Sequence, residues 1–313
     1  MEHTTIGQVV SWLDTTFRPE LQEDYDNAGF LIGQRQTPCT GVLIALDLTP
    51  AVVDEAISLG LNLIVTHHPL IFNGLKRITS DNEAGRTVIS LIQHGIAVYA
   101  AHTNLDNLPW GVNGILAEKL CLTDCHILRS THSSVSRSSA DSSPNLGEQR
   151  DSNSQQQKPS GSSPKLGEVD ARSADGGVCN PDETGAGMVG KLPHPIPAEA
   201  FLLKLKETLG IPTLRTSPLE RRRPAGIRTV ALCGGSGAFL IPDAIAAHAD
   251  IYITADLKYH DFQRPEGRII LVDAGHYETE QFAKEIFYRA ISEKFSNFAC
   301  RISTKQESLV QYI

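Results

Sequence analysis

The sequence lacks the features of membrane-embedded and secreted proteins. It has no apolar stretch of about eighteen residues, so we expect no transmembrane helix. Its start, MEHTTIGQVVSWLD, has no apolar signal-peptide region and instead predicts a short amphipathic helix capped by Thr4 or Thr5. The six cysteines are scattered without a C-x-x-C pair, and a chain of this length does not need disulfide bonds. We therefore expect a cytoplasmic protein with reduced thiols and no cysteine-based zinc site.

Two further absences restrict the function. The net charge is −8, which disfavours general binding to a nucleic-acid backbone, so nucleic acid is an unlikely partner. There is no P-loop, and no Ser–His–Asp or Cys–His arrangement offers itself as a nucleophile. If the protein hydrolyses a small molecule, the nucleophile is expected to be water.

One segment differs in composition from the rest of the chain. Residues 131–184 contain thirteen serines, no aromatic residue and no isoleucine, and SSPNLGE (142–148) recurs there as SSPKLGE (162–168). Such a composition cannot bury enough apolar surface to offset the entropy of ordering. We predict a disordered low-complexity insertion over 131–184, with a partner-binding tether as the alternative.

On both sides of this segment, predicted strands alternate with predicted helices. This pattern is typical of parallel-rich sheets covered by helices, and it predicts two α/β lobes, 1–130 and 185–313. The predicted strands are 41–49, 61–68, 96–104, 227–235, 250–256 and 268–275, and the predicted helices are 50–60, 84–95, 198–210, 241–249 and 277–295.

The ends of these predicted strands are rich in histidine and carboxylate residues. In open α/β sheets the carboxyl ends of the strands form the binding site, so we expect these side chains to meet. Five of the eleven histidines lie in these segments, which is more than polar loops alone explain. The polar residues at the strand ends are His67, His68, His102, Thr103, Asp106, Asp256, Lys258, His260, Asp273, His276 and Glu280.

Their spacing favours a metal site. His276 and Glu280 are four residues apart, which places them on one face of a helix if the helix has begun there. His67 and His68 would point to opposite faces of a regular strand, so Pro69 must end the strand for both to reach one site. Three histidines and two carboxylates, counting Asp106, are too many for one tetrahedral zinc ion and suit two ions with bridging ligands.

Several motifs together resemble the Nif-three-like dinuclear metal-centre family, whose members are often named GTP cyclohydrolase 1 type 2 homologs. The resemblance covers nearly the whole chain except 131–184. It rests on THHPLIF (66–72), AAHTNLDN followed by GVN (100–113), CGGSGAF (233–239), YITADLKYHDF (252–262), DAGHYETEQF (273–282) and YDNAGFLIG (25–33).

The resemblance implies a ligand set and an assembly. It implies that His67, His68, Asp106, His276 and Glu280 hold two divalent ions per chain, whether zinc, iron, manganese or nickel. It also implies a homohexamer, a trimer of dimers, with the metal sites facing an inner cavity. The family name implies hydrolytic opening of the guanine imidazole ring of GTP, although no residue here is a recognisable guanine selector. The chain has Thr254-Ala255-Asp256 where the family usually has T-G-[D/E], so this loop is expected to differ.

Other residues carry open alternatives. His102 is expected either to hold Asp106 or a bridging water in place or to be an ordinary buried histidine. Asp26 and Asn27 are expected to be structural, with support of the site as the alternative. Lys258 and His260 would contact a substrate anion or cap a loop, and CGGSG (233–237) would bind phosphate or simply turn the chain. No residue is assigned as catalytic. The sequence favours a metal-dependent hydrolase acting on a small molecule, and the alternative is a non-catalytic metal-binding or regulatory scaffold.

Overall fold

The structure, a computed structural model, describes residues 3–131, 182–219, 226–306 and 308–313. The described chain has the predicted mixed α/β architecture with two sheets. Of the predicted disordered insertion 131–184, residues 132–181 lie outside the described residues. Its two described ends are paired, since the Thr131 amide donates to the Thr184 carbonyl over 2.9 Å. Across the described ranges, no helix has the length and apolarity needed to cross a membrane.

Eleven strands form the two sheets. The first sheet has the order β1-β4-β3-β2-β11, and only its β1–β4 pair is antiparallel. The second has the order β5-β6-β8-β9-β10-β7, and only β8–β9 and β9–β10 are parallel, so the expectation of parallel-rich sheets is wrong for this half. The strands are β1 Gly29–Ile32, β2 Gly41–Ala45, β3 Leu63–Thr66, β4 Ala97–Ala100, β5 Thr123–Ser130, β6 Gly185–Ile196, β7 Arg215–Thr216, β8 Ile227–Ser236, β9 Ile251–Ala255, β10 Ile270–Asp273 and β11 Ala299–Ile302.

Nine α-helices are described. Short 3₁₀ turns lie at Pro19–Leu21, Ala238–Leu240 and Tyr259–Gln263. The helices are α1 Ile6–Phe17, α2 Pro50–Leu59, α3 Glu83–Gln93, α4 Thr103–Asp106, α5 Val112–Lys119, α6 Ala198–Leu209, α7 Ile241–Ala246, α8 His276–Glu280 and α9 Ala283–Lys294.

Local sequence signals account for several helix ends. Thr5 caps α1 in a capping box with Gln8, as one of the two predicted alternatives has it. Pro50 begins α2, and Gly60 ends it with φ 66°, a left-handed conformation that glycine adopts without strain. The predicted helix 277–295 is wrong as a single element, because α8 ends at Glu280 and α9 begins at Ala283.

Two strands join the sheet opposite to their half of the sequence. The late strand β11 pairs with β2 in the first sheet, and the early strand β5 pairs with β6 in the second. One apolar core contains residues of both halves, including Val42 and Val230. This shared packing fixes the strand ends of the two sheets relative to each other. The division into 1–130, 131–184 and 185–313 stays a prediction about the sequence.

Candidate metal centre

The carboxyl ends of neighbouring parallel strands bring the predicted residues together. In the first sheet, Asp47 follows β2, His67 and His68 follow β3, and His102 follows β4. In the second sheet, Asp256 follows β9 and His276 begins α8 just after β10. The side chains at these strand ends and in the short helices that follow them include six potential metal ligands. They are called the metal cluster below and are His67, His68, His102, Asp106, His276 and Glu280.

His67 is fully buried with one ring nitrogen held and the other unpaired. Its Nδ1 lies 2.8 Å from the Ala101 carbonyl, so it must carry the hydrogen and donate it. In the neutral ring Nε2 then carries the lone pair, and it has no hydrogen-bond partner among the described residues. It lies 3.6 Å from Oδ1 of Asp106 and 3.8 Å from Oε2 of Glu280. A buried imidazole held in this tautomer fits a metal ligand, because a hydrogen bond to the second nitrogen is what orients such ligands.

Asp106 faces His67 from the end of α4. Its Oδ1 is buried and, within the described part of the chain, also lacks a hydrogen-bond partner. Burial, reinforced by the negative charge of Glu280, raises the pKa of Asp106 above the usual range. A buried carboxylate oxygen opposite a buried imidazole lone pair is costly without a cation between them.

Glu280 is the centre of the cluster. Its side chain is almost fully buried, and Oε2 lies 2.9 Å from Nε2 of His68 and 3.0 Å from Nε2 of His276. His276 and Glu280 share one face of α8, as the spacing predicted. Burial would raise the pKa of Glu280, but the surrounding imidazoles lower it well below its usual value.

A glycine makes room for this carboxylate. Gly235 has φ 59°, and a Cβ built there would lie 2.1 Å from Oε1 of Glu280. The amides of Gly234 and Gly235 donate to the side chains of Asn113 and Thr279. The phosphate alternative for CGGSG is therefore not supported at these two amides, because they already bind inside the protein.

Each of the other three imidazoles is oriented by an aspartate. Nδ1 of His68 lies 2.6 Å from Asp47, and Nδ1 of His276 lies 2.7 Å from Asp256. Although burial alone would lower the pKa of both histidines, hydrogen bonds to carboxylates raise it to about 10 for His68 and to about 9 for His276. In the metal-free protein near neutral pH, these two rings therefore hold protons where a cation would bind.

His102 belongs to the cluster, and its aspartate is Asp26. Nδ1 of His102 lies 2.8 Å from Oδ1 of Asp26, while Oδ2 accepts from the amide and hydroxyl of Thr103. Burial would raise the pKa of Asp26, but these hydrogen bonds lower it to about 2. Asp26 is thus a charged orienting partner of a cluster imidazole, in line with the alternative that it supports the site.

Two of these supporting residues were missed from the sequence. Asp47 was overlooked because β2 ends in a single carboxylate without a neighbouring histidine. Gln306 donates to Asp47 from the far end of the chain and accepts from its amide, and no sequence signal links positions 259 residues apart. In the Thr254-Ala255-Asp256 loop, the positive φ of 56° falls on Asp256, so alanine is accommodated at 255.

Lys258 and His260 lie outside the cluster. The Lys258 amide caps the 3₁₀ turn Tyr259–Gln263 by donating to Asp261, and the side chains of Lys258 and His260 are exposed. The loop-capping alternative describes the Lys258 backbone, and a substrate contact by either side chain stays a prediction.

The cluster divides into overlapping groups whose ligand atoms lie within 4.8 Å of one another. Two of them share Glu280: His67 with Asp106 and Glu280, and His68 with His276 and Glu280. The third group joins His67, His68 and His102. Nitrogen and oxygen donors in this arrangement fit divalent transition metals, and the shared carboxylate fits two neighbouring ions.

The chain is similar in sequence and in fold to known proteins. A "GTP cyclohydrolase 1 type 2 homolog" of Bacillus subtilis (strain 168) is 30% identical, with 91% of each chain covered. A protein of the same name from Lactococcus lactis is 29% identical over 89% of this chain and 86% of its own. Among solved structures, a Staphylococcus aureus hypothetical protein superimposes over 100% of both chains with a TM-score of 0.75 and 27% identity.

The family assignment follows from a match that spans almost the whole sequence. Residues 4–308 match Duf34/NIF3 (NGG1p interacting factor 3), and the two sheets and the cluster at their strand ends lie inside this range. The resemblance seen in the sequence motifs is therefore confirmed, and the chain belongs to the DUF34/NIF3 family.

Proposed function

We propose that the metal cluster binds two divalent ions and that the protein is a metal-dependent hydrolase of a small molecule. The observation that carries this proposal is a pair of buried atoms, Nε2 of His67 and Oδ1 of Asp106, which lie beside the shared Oε2 of Glu280 and have no hydrogen-bond partner within the described ranges. Folding seldom leaves two such atoms without compensation, and a cation satisfies both.

The ligand set follows the two groups that share Glu280. His67 and Asp106 would hold one ion, His68 and His276 the other, and Glu280 would bridge them. Two bound divalent ions supply a water that ionises near neutral pH and positive charge for a developing oxyanion. Zinc, iron, manganese and nickel all accept these donors, so the ion present would depend on availability.

The protein's own residues orient and charge-balance this site. Asp47, Asp26 and Asp256 fix the tautomers of three imidazoles, which leaves each Nε2 facing the cluster. His102 and the partly open side chains of His68 and His276 border the accessible side, where a substrate would enter. The names of the relatives point to GTP as the first substrate to test.

The test combines metal analysis with turnover on one preparation. Purified protein loaded separately with zinc, manganese, iron or nickel is analysed for metal content and then incubated with GTP, phosphoesters and small amides. We expect two ions per chain and hydrolysis that a chelator abolishes and added metal restores. Two ions per chain without turnover of any substrate would favour the regulatory or metal-storing scaffold, and fewer than one ion would contradict the metal site itself.

The assembly and location remain part of the proposal. A homohexamer, as the family resemblance implies, would have a mass of about 204 kDa from six chains of 34.0 kDa. Light scattering at micromolar concentration distinguishes it from a monomer of 34 kDa, which would contradict it. A cytoplasmic location is proposed as well, and the five described cysteines, none of which is in a disulfide bond, agree with it.

A further inference from the structure

Two exposed aromatic rings lie beside the metal cluster. Tyr25 is 64% exposed and Phe72 is 40% exposed, although both are large side chains. Their ring centroids are 6.3 Å apart, and the ring of Phe72 lies 5.9 Å from that of His102 at an interplanar angle of 78°. The rings therefore continue the surface of the cluster outward from His102.

The same short element fixes both His102 and the aromatic rings. Tyr25 is followed by Asp26, which binds His102, and by Asn27. The side-chain amide of Asn27 donates a hydrogen bond to the carbonyl of Ile71, the residue before Phe72. Hydrogen bonds therefore connect the segment that carries Tyr25 both to the segment that carries Phe72 and to the cluster. Beyond Phe72 the chain is exposed and irregular as far as Asn82, so this anchored residue differs from the loop that follows it.

The position of the rings indicates what they would contact. Asp106, a member of the cluster, is among the carboxylates that with burial raise the pKa of the Tyr25 phenol, so this side chain lies within electrostatic range of the metal position. A ligand that reaches the cluster on its His102 side lies against this imidazole. Its next contacts outward are Phe72 and Tyr25.

We propose that Tyr25 and Phe72 form a ring-binding platform that selects substrates carrying a planar unsaturated heterocycle. The heterocycle stacks on the platform and thereby places its hydrolysable bond at the metals. Stacking on an aromatic face suits any planar ring and needs no hydrogen-bonding side chain, which agrees with the absence of a recognisable guanine selector. This inference rests on the proposed hydrolase function and adds the substrate class.

The experiment compares two probes on the metal-loaded full chain. Calorimetry measures the binding of GTP, which has a heterocycle, and of inorganic triphosphate, which has none. Two variants, Phe72→Leu and Tyr25→Leu, each remove one aromatic face. A third, Phe72→Trp, keeps an aromatic face at position 72. Leu75→Ala is the matched control, because Leu75 is an exposed apolar residue of the same loop. Metal content and light scattering are recorded for every sample.

We expect wild type and Leu75→Ala to bind GTP at least about tenfold more tightly than triphosphate. Phe72→Leu and Tyr25→Leu should each lose on the order of tenfold in affinity for GTP but none for triphosphate, and Phe72→Trp should retain it. Equal binding of the two probes by wild type, or of neither, would overturn the platform, as would leucine variants that bind GTP normally. A change of molecular mass in the leucine variants would also overturn it, because the rings would then form a contact between copies.

The metal measurement separates this inference from the proposed function. If wild type holds fewer than two ions per chain, the dinuclear function fails irrespective of the rings. If all variants hold two ions and GTP binding does not depend on the aromatic faces, only the platform fails.

Discussion

The two groups that share Glu280 differ in how they are satisfied without a metal. In the group of His68 and His276, every ring nitrogen lies within 3.0 Å of a carboxylate oxygen. In the group of His67 and Asp106, the facing atoms are 3.6 Å apart and have no hydrogen-bond partner among the described residues. Protons can therefore replace a cation in the first group, whereas the facing atoms of the second group are too far apart to bond to each other and fit a cation between them. Ligands of the same type in one site therefore differ in how strongly their interactions without metal depend on pH.

The largest expected effect comes from the residue that the two groups share. Glu280→Gln keeps the size of the side chain but removes the charge between the two positions, so we expect metal content to fall from two ions per chain to below one. Elemental analysis beside circular dichroism measures this. Glu285→Gln is the matched control, because it makes the same change in α9, where Glu285 pairs with Lys119. Retention of two ions by Glu280→Gln would contradict the bridging role.

Single-histidine variants should separate the groups. His68→Ala and His276→Ala each remove one ligand of the more open group, so we expect each variant to lose one ion and keep its fold. His67→Ala should lose the other ion and also lower the melting temperature, because this side chain is fully buried and its removal leaves a cavity. The same metal analysis applies, with thermal unfolding followed by circular dichroism. Loss of stability without loss of metal in all three variants would assign the histidines to packing.

The pH dependence of the metal-free protein sharpens the contrast. The folded-state pKa values of about 10 for His68 and about 9 for His276 exceed the unfolded value of 6.5. Their stabilising contribution is therefore fully present below pH 6.5 and is lost as pH rises through 9 to 10. We expect the melting temperature of chelator-treated protein to fall between pH 7 and pH 10.

His68→Ala is the control for this pH effect, because it removes one of the two groups and should flatten the decline. Proton release on zinc binding, measured by calorimetry in buffers of different ionisation enthalpy, should be larger at pH 7 than at pH 10. A release that does not change with pH would refute the proton-for-metal exchange.

The smallest expected effect concerns Gln306, a residue near the C-terminus that supports the group of His68 and His276 through Asp47. Gln306 is buried and bonds to both the amide and the carboxylate of Asp47, which in turn orients His68. Gln306→Met keeps the volume but removes these polar atoms, so we expect metal affinity to weaken by up to about tenfold at one of two positions. Competition with a chromogenic chelator measures this, with the exposed Leu309→Ala as control. Equal weakening at both positions would show that Gln306 does not act through His68.

Patterns within short stretches of sequence predicted much of this molecule. Gly60 was predicted as a helix cap and Thr5 as one of two candidates. The predicted strands contain the observed β2, β3, β4, β9 and β10, and they cover β8 apart from its last residue, Ser236. The strands β1, β5, β6, β7 and β11 were missed, because edge and antiparallel strands carry glycine, proline and polar residues that weaken the apolar pattern. The break between α8 and α9 was also missed, since the residues around it continue a helical pattern.

The sequence by itself named the six cluster residues among its candidates, but it also named Lys258 and His260, which lie outside the cluster. Histidines and carboxylates follow strands whose carboxyl ends must meet in a parallel arrangement, and the four-residue spacing of His276 and Glu280 required only a helix. The tertiary structure alone decided which atoms face one another. Packing between the two sheets decides three features. Nε2 of His67 has no hydrogen-bond partner among the described residues, Oε2 of Glu280 is shared by two groups, and Gln306 binds Asp47. Such contacts join residues up to 259 positions apart, and no local periodicity encodes them because they arise only when the apolar core shared by the two halves forms.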